Sequence, residues 1–258
     1  MKKFILKLSG YGINPVQLVQ AIRSLPWFYR TKRQLKKQLN GNTEFPITRN
    51  YACLTDRFDK SGALSGHYFH MDLLMAKRVF ANNPQKHVDV GSSIPGFVAH
   101  VASFREIEVF DVRPNESTVS NIRFKQVDFS DTSLNLADYT DSVSCLHAIE
   151  HFGLGRYGDP VDADGHKKGL DNLYKILKKG GKFYFATPIG PQRIEFNAHR
   201  VFSIAYLLKQ FEGRYQVNHF SYVDDAGNLF ENTELTPERI AGNCGCTYGC
   251  GIFEMTKL

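Results

Sequence analysis

Five short apolar runs, separated by segments with helical spacing, constrain the fold of this 258-residue chain more than any other feature. The runs are His87–Val90, Ile107–Phe110, Ile122–Val127, Ser142–Leu146 and Lys182–Ala186. Between them, Phe97–Phe104 and Gly169–Lys178 repeat apolar residues at helical intervals. Such alternation is typical of a parallel sheet with crossover helices. The sequence therefore predicts an α/β domain with a Rossmann-like sheet.

The first run ends in a glycine-containing turn, Asp89-Val-Gly-Ser-Ser-Ile-Pro-Gly96, and a helix is predicted to follow. A glycine here lets the backbone approach a ligand without an intervening Cβ. The start of the helix offers free N–H groups to an anionic group. A tight turn without any ligand has the same pattern. If the turn binds a cofactor, its candidate residues are Asp89, Gly91, Ser92, Ser93 and Gly96.

The next two runs also end in polar residues. Asp111 ends the second run, where a carboxylate can accept hydrogen bonds from two ribose hydroxyls. Asp128 and Phe129 follow the third run, and a carboxylate beside an aromatic ring suits adenine. Open α/β sheets bind ligands at the carboxyl ends of their strands. These residues in this order indicate a nucleoside-containing cofactor.

Two further motifs tie this pattern to a family. The fourth run leads into His147-Ala-Ile-Glu-His151, and the fifth follows Leu177-Lys-Lys-Gly-Gly-Lys182. In both, the chain resembles class I S-adenosylmethionine-dependent methyltransferases, whose fourth strand often leads into a Glu-His pair. Their fifth strand often follows a Leu-Lys-Pro-Gly-Gly turn. The resemblance covers roughly residues 80–258 and implies S-adenosylmethionine as cofactor, with His147 added to the cofactor-binding candidates.

The resemblance also implies an architecture. It is a three-layer sandwich around a mostly parallel, seven-stranded sheet of order 3-2-1-4-5-7-6, with an antiparallel seventh strand. Gly249–Lys257 fits that final strand. The chain is then divided into a basic helical extension, residues 1–80, and a methyltransferase-like domain, residues 81–258. One departure lies in the glycine turn, where Ser93 and Pro95 replace usual glycines. Proline removes an N–H donor and fixes φ, so this loop is expected to differ in shape.

A narrower resemblance concerns three segments after the fourth strand. The runs His147–Gly158, Asp164-Gly-His166 and Arg193–Ser203 are similar to a little-characterised methyltransferase-like family. Bacterial members of that family are often found with surface-polysaccharide genes. This similarity implies O-methylation of a sugar, a nucleotide sugar or another small polar glycan precursor, in a bacterial setting.

A hydroxyl acceptor needs a general base, and the segment after the fourth strand offers several. Its titratable residues are His147, Glu150, His151, Asp159, Asp162, Asp164 and His166. Histidine titrates nearest neutral pH. We therefore expect His151 or His147 to act as the base, oriented by Glu150. The alternative is that the Glu-His pair caps the strand and packs beside the cofactor.

Two segments are candidates for substrate contact. Residues 153–159 form a glycine-punctuated loop carrying Arg156 and Tyr157, which is either a substrate lid or an ordinary connection. After the fifth strand come Arg193, Glu195, Asn197, His199 and Arg200. Two arginines suit a phosphate or carboxylate. The alternative for this segment is a solvated helix start with Asn197 as its cap.

The positive charge lies at one end of the chain. Residues 1–43 contain nine Lys or Arg and no acidic residue, so the other 23 basic and 26 acidic residues carry a net charge of −3. A nucleic-acid groove on the main domain is therefore not expected. Residues 15–40 have amphipathic helical spacing interrupted by Pro26, predicted to kink or split the helix. This helix either packs on the domain or contacts an anionic membrane surface.

The remaining features concern compartment and competing functions. Five cysteines, the absence of an 18-residue apolar segment and no recognisable signal peptide predict a cytoplasmic protein with reduced thiols. Cys244, Cys246 and Cys250 lack the spacing of a zinc knuckle, and no metal site is predicted. A non-catalytic methyltransferase-fold protein in glycan assembly is one competitor. An NAD(P)-dependent oxidoreductase is another, although the turn lacks Gly-x-Gly-x-x-Gly. The oligomeric state is left unpredicted.

Overall fold

A computed structural model describes residues 14–41, 44–59 and 61–258, which fall into two compact units. The smaller unit extends to Ala63, and the larger spans Leu64–Leu258. The sequence had placed the boundary at residue 80. In the structure, helix α2, His67–Asn82, belongs to the larger unit. Its apolar face, including Met71 and Val79, packs into a core cluster with Phe97.

The smaller unit contains the predicted N-terminal helix. This helix, α1, spans Pro15–Leu39, and the Asn14 side chain caps it by accepting the Val16 and Gln17 N–H groups. Pro26 was expected to kink or split this helix; the helix runs on through Pro26, so it is not split. Residues 1–13 and 42–43 of the basic segment lie outside the described residues.

The larger unit contains five helices and ten strands among its described residues. The helices are α2, His67–Asn82; α3, Ala99–Ala102; α4, Gly165–Ile176; α5, Ile204–Phe211; and α6, Pro237–Ala241. The strands are β1, His87–Val90; β2, Ile107–Asp111; β3, Ile122–Gln126; β4, Thr140–Leu146; β5, Leu177–Ile189; β6, Arg193–Glu195; β7, His199–Val201; β8, Tyr215–Val223; β9, Leu229–Phe230; and β10, Gly249–Lys257. The strands in the five apolar runs and the final strand are therefore confirmed.

Eight of these strands form one sheet of order β3-β2-β1-β4-β5-β10-β8-β9. The first five are parallel, whereas β10 runs antiparallel to both β5 and β8. The predicted order and the antiparallel last strand are present. The predicted count of seven is wrong, because the two-residue strand β9 adds an eighth strand beside β8.

The sheet has helices on both faces. On one side, α2 and α3 bury side chains such as Met75 and Val101 against β2. On the other side, α4 and α5 bury Leu173 and Leu207 against the central strands. The arrangement is a mostly parallel α/β sandwich. Because the four strands β1 to β4 are parallel, their carboxyl ends meet at one edge, where the candidate site lies.

The loop after β1 has the altered shape that Pro95 suggested. A single π-helical turn spans Ile94–Val98, and the regular helix starts only at Ala99. Gly96 has non-helical angles there, φ −99° and ψ −109°. A Cβ on Gly96 would lie 2.1 Å from the Asp72 carboxylate of α2, so a side chain at this position would collide with that helix.

No helix among residues that the structure describes is both long enough and apolar enough to cross a bilayer.

Candidate functional site

The floor of the site is the turn after β1, which closely approaches the segment after β4. Gly91 has φ +73°, and a Cβ there would lie 2.9 Å from the Ala148 Cβ. Both the backbone angle and this approach require glycine. Asp89 is fully buried and fixes the turn by accepting hydrogen bonds from the Ser92 and Ser144 hydroxyls, at 2.5 and 2.6 Å. Burial raises the pKa of Asp89 to about 6.

The five candidate residues of this turn have two different positions. Gly91, Ser92 and Ser93 line a polar cavity at the carboxyl edge of the sheet. Asp89 and Gly96 lie behind it, where they hold the turn and its contact with α2. Sequence spacing alone could not separate the lining residues from the supporting ones.

Beside the polar cavity lies a largely apolar slot between the ends of β2 and β3. Its walls include Val90, Phe110, Val127 and Phe129, with Asp128 at the rim. The Phe110 and Phe129 rings pack with their centroids 5.8 Å apart. Asp128 Oδ1 accepts hydrogen bonds from the backbone N–H and hydroxyl of Ser130. Its Oδ2 has no partner among the described residues and is available to a polar ligand atom.

Asp111 lies between the slot and the polar cavity and is engaged by a neighbouring cation. Arg113 Nε and Nη2 donate to its two carboxylate oxygens at 2.9 and 2.6 Å, and the Arg113 backbone N–H donates at 2.8 Å. The Arg113 guanidinium also lies 4.5 Å from the centre of the Tyr157 ring. Each carboxylate oxygen has a second lone pair. A ribose at Asp111 would share these oxygens with Arg113 or displace its half-exposed side chain.

The three candidate catalytic residues follow β4. His147 has φ +52°, and its Nδ1 lies 2.8 Å from Glu150 Oε1. Glu150 is almost fully buried and also accepts the Thr187 hydroxyl. Burial alone would raise the pKa of Glu150, but the adjacent His147 outweighs it and lowers that pKa. Glu150 therefore holds His147, one of the two histidines that it was expected to orient.

His151 is held differently. Its Nδ1 lies 2.7 Å from the Ala198 backbone carbonyl, so the neutral ring has its proton on Nδ1 and its lone pair on Nε2. Burial lowers the pKa of His151, although the nearby Glu150 charge acts in the opposite direction. His151 lines both the slot and the polar cavity. It therefore lies at the junction of the two spaces.

The predicted substrate residues separate into two groups. Arg156, Tyr157 and His199 line the polar cavity beside His151. The other group does not line that cavity: Arg193 pairs with Glu195 through Nε at 2.8 Å, and Asn197 is exposed in a turn. The segment forms a hairpin of β6 and β7, so the alternative of a helix capped by Asn197 is wrong.

The helix that follows this hairpin, α5, starts at Ile204, and the Ser203 hydroxyl caps it by accepting the Tyr206 N–H.

The loop after His151 is an ordered connection. Asp159 accepts the Gly153, Gly155 and Tyr157 N–H groups, and Arg200 donates to the Phe152 carbonyl at 2.6 Å.

The other titratable candidates of this segment lie away from the cavity. His166 is hydrogen-bonded to the Tyr206 hydroxyl, and burial lowers its pKa to about 4. Asp162 and Asp164 pair with Lys168 and Lys167 at the surface. These contacts are structural.

A family model described as "Caenorhabditis protein of unknown function, DUF268" matches residues 99–243, more than half of the chain. The chain belongs to the DUF268 family. A search of curated proteins found no match to the sequence. None of these results concerns bacterial polysaccharide genes, so that expectation remains a proposal.

Solved structures similar to the DUF268 chain include two methyltransferases. One is the 1,6-didemethyltoxoflavin-N1-methyltransferase of Burkholderia thailandensis, with bound S-adenosylhomocysteine. It is 13% identical over 72% of this chain and 78% of that chain, with a TM-score of 0.52. The other is the N-methyltransferase NodS of Bradyrhizobium japonicum, 10% identical over 87% and 97%, with a TM-score of 0.48. The first likeness shows that the DUF268 chain has a class I methyltransferase fold.

Sequence reasoning missed an aromatic wall of this DUF268 site. His67 and Tyr68, at the start of α2, line the polar cavity together with Tyr248. The His67 ring stacks on His147, with centroids 5.3 Å apart and planes 3° from parallel. Tyr248 packs against both His67 and His199. No local spacing connects residues so far apart in the chain, so only the fold reveals the wall.

The three C-terminal cysteines do not share one site. Cys244 and Cys246 belong to the core cluster on the α4–α5 side of the sheet, whereas Cys250 belongs to the cluster on the α2 side. All three are free thiols. Cys250 lies beside His67 and His147, with one ligand atom of each residue within 4.8 Å of the others.

Proposed function

We propose that this protein is an S-adenosylmethionine-dependent methyltransferase acting on an oxygen of a small polar acceptor. One observation carries the proposal. The apolar slot, the Asp111 carboxylate and the His151 ring lie together at the carboxyl edge of the sheet, in a methyltransferase fold. Asp111, Asp128 and His151 come from three different strand ends. This combination of groups serves a nucleoside cofactor and a proton transfer together.

The residues present fit the cofactor. Phe110 and Phe129 would form the apolar walls around adenine, and Asp128 Oδ2 is available to accept from its exocyclic amine. Asp111 would accept from the ribose hydroxyls, and the Gly91–Ser93 turn would border the methionine part. When bound, S-adenosylmethionine supplies an electrophilic methyl group on its sulfonium sulfur.

His151 is the proposed general base. Its Nδ1 proton is committed to the Ala198 carbonyl, which leaves Nε2 to accept a proton from an acceptor hydroxyl in the cavity. Arg156 also donates to Ala198, at 2.9 Å, and so stabilises the same carbonyl. His147 is less suited to this role because its ring is buried and engaged by Glu150.

The cavity walls support a sugar-type acceptor. Arg156, Tyr157 and His199 offer hydrogen bonds and one aromatic ring around His151, which suits a polyhydroxylated ring. Arg113 borders the same cavity, so two guanidinium groups are available to a phosphate. We therefore extend the proposal to a nucleotide sugar or a related glycan precursor in surface-glycan synthesis.

Helix α1 supports a second extension of the proposal, a peripheral contact with an anionic membrane from the cytoplasmic side. Val16, Leu18 and Ile22 are about half exposed or more. The helix carries six basic residues and no acidic one: Arg23, Arg30, Lys32, Arg33, Lys36 and Lys37. Apolar side chains on a basic helix are typical of interfacial binding.

The test combines cofactor binding with methyl transfer. Calorimetry on the full chain should detect S-adenosylhomocysteine, and Asp111→Asn should weaken it sharply, whereas Asp131→Asn at an exposed turn should not. Methyl-labelled cofactor with a panel of nucleotide sugars should then transfer label to one of them. Wild-type protein that binds no S-adenosylhomocysteine would overturn the proposal.

One competitor is tested in the same experiment. Arg113 beside Asp111 is also the arrangement that accommodates the 2′-phosphate of NADP. Binding of NADPH without S-adenosylhomocysteine would favour an oxidoreductase, and binding of neither would favour a non-catalytic role in assembly.

A further inference from the structure

Three side chains that metal ions prefer lie at and directly behind the wall of the polar cavity. They are His67, His147 and Cys250, whose ligand atoms lie within 4.8 Å of one another. Each comes from a different element: the first turn of α2, the segment after β4, and the start of β10. All three backbones belong to the packed larger unit, so the ligand atoms are positioned by the fold.

His147 is held as a metal-binding histidine is held. His147 Nδ1 bonds Glu150, and its buried Nε2 finds no nitrogen or oxygen partner among the described residues. Its neighbour on that side is the Cys250 sulfur. Metal-binding histidines almost always give their second ring nitrogen to a carboxylate or carbonyl, as His147 does to Glu150. His67 packs against the Tyr248 ring, with the ring centroids 5.4 Å apart.

Cys250 is placed for the same purpose. Its side chain is fully buried, and its described hydrogen-bond contact is a long one, 3.9 Å from Sγ to the Gly251 carbonyl. Strand β10 is paired on both sides there, with Pro188 of β5 and Val223 of β8 as the partners of Cys250. Pairing on both sides fixes the direction of the Cα–Cβ bond, so the Cys250 side chain stays on this face of the sheet.

We propose that His67, His147 and Cys250 bind one Zn²⁺ or similar borderline-soft divalent ion. Two imidazoles and a thiolate suit such ions, whereas Mg²⁺ and Ca²⁺ prefer oxygen ligands. Tetrahedral zinc needs ligand atoms about 3.3–3.8 Å apart. The separations of up to 4.8 Å therefore close by about 1 Å on binding. Binding releases the Cys250 thiol proton to solvent.

Three protein ligands leave one coordination position open, which is the composition of catalytic rather than structural zinc sites. His67 and His147 line the polar cavity, so this position is available to water or to an oxygen of a bound acceptor. A role in polarising that acceptor rests on the proposed methyl transfer, but binding of the ion does not.

The test uses Co²⁺ as a spectroscopic probe of the full chain, stripped of metal under reducing conditions. One equivalent should give visible bands of tetrahedral Co²⁺ and a near-ultraviolet band of cobalt–thiolate charge transfer. Cys250→Ser should remove the thiolate band. Cys246→Ser is the matched control, since this buried thiol packs on the other side of the sheet, and it should keep the band.

Two further variants keep the test decisive if Cys250→Ser fails to fold. His67→Ala changes a half-buried residue and should abolish tight Co²⁺ uptake. Glu150→Gln keeps the ligands but weakens the support of His147, so Co²⁺ affinity should fall by about 10- to 100-fold. No uptake by folded wild type, or a thiolate band that survives in Cys250→Ser, overturns the site. Neither Co²⁺ uptake nor the thiolate band needs the cofactor or the acceptor, so the test of the metal site is independent of methyl transfer.

Discussion

The Gly91→Ala substitution tests whether the turn after β1 is built on close contact. At φ +73°, alanine costs about 1–2 kcal/mol in backbone energy. Its Cβ would also lie 2.9 Å from the Cβ of Ala148, which is only 4% exposed. Carbon atoms normally stay about 3.5–4.0 Å apart. Relieving this overlap in a packed region costs about a further 1–3 kcal/mol.

Gly213→Ala is the matched control. Gly213 has φ +69°, is exposed, and has nothing within 4 Å of an added Cβ. Both variants are therefore destabilised by a similar backbone strain, and only Gly91→Ala is further destabilised by the steric overlap. Since about 1 kcal/mol shifts Tm by about 2–4 °C in a domain of this size, Gly91→Ala should melt about 2–12 °C below the control.

The assay is thermal unfolding of both variants followed by circular dichroism, with calorimetry of S-adenosylhomocysteine on each. Gly91→Ala should also weaken binding, because the turn borders the cavity, while Gly213→Ala should bind like wild type. Equal Tm values for the two variants would refute the close-contact reasoning. A lower Tm with unchanged affinity would show that the turn is structural and does not border the cofactor.

Four further predictions follow from the site and from α1. His151→Asn should abolish transfer while leaving S-adenosylhomocysteine affinity within about two-fold, and calorimetry beside the transfer assay checks this. In wild type, His151 must be neutral, and burial and the Arg156 charge lower its pKa against the charge of Glu150. The rate should therefore fall with decreasing pH only below the range in which a free imidazole titrates. Arg113→Ala should tighten S-adenosylhomocysteine binding, because it frees both Asp111 oxygens; weaker binding would mean that Arg113 is itself a ligand. Full-length protein should sediment with vesicles containing phosphatidylserine at low salt and less so at high salt, and vesicles of phosphatidylcholine alone are the control.

The strands could be predicted because burial on both faces leaves a clear sequence signal. Runs such as Ile107–Phe110 are mostly apolar and end at polar residues, which gives both the strand and the edge where ligands bind. Two-residue β9 and the short hairpin of β6 and β7 carry no such run. Their position depends on pairing with distant residues, so the eighth strand and the hairpin were not predicted.

The site was predictable only where its residues follow strands directly. Asp111 and His151 could be placed by their position after a strand, whereas the pairing of Asp111 with Arg113 depends on side-chain geometry. His67 and Cys250 lie far apart in the chain. They come together only because α2 packs on the face of the sheet to which β10 contributes Cys250. A short-range search for metal motifs around the C-terminal cysteines therefore misses the pair.

The cofactor region and the proposed metal site share one short backbone segment. Ala148 lies against Gly91, so its position limits where the turn after β1 can lie. The residue before it, His147, has a left-handed backbone and a ring that lies beside Cys250, and Glu150, three residues after His147, fixes that ring. A shift of this segment that relieved contact with Gly91 would also move His147. Substitution at Gly91 should therefore weaken Co²⁺ binding as well as cofactor binding, although residue 91 touches no metal ligand.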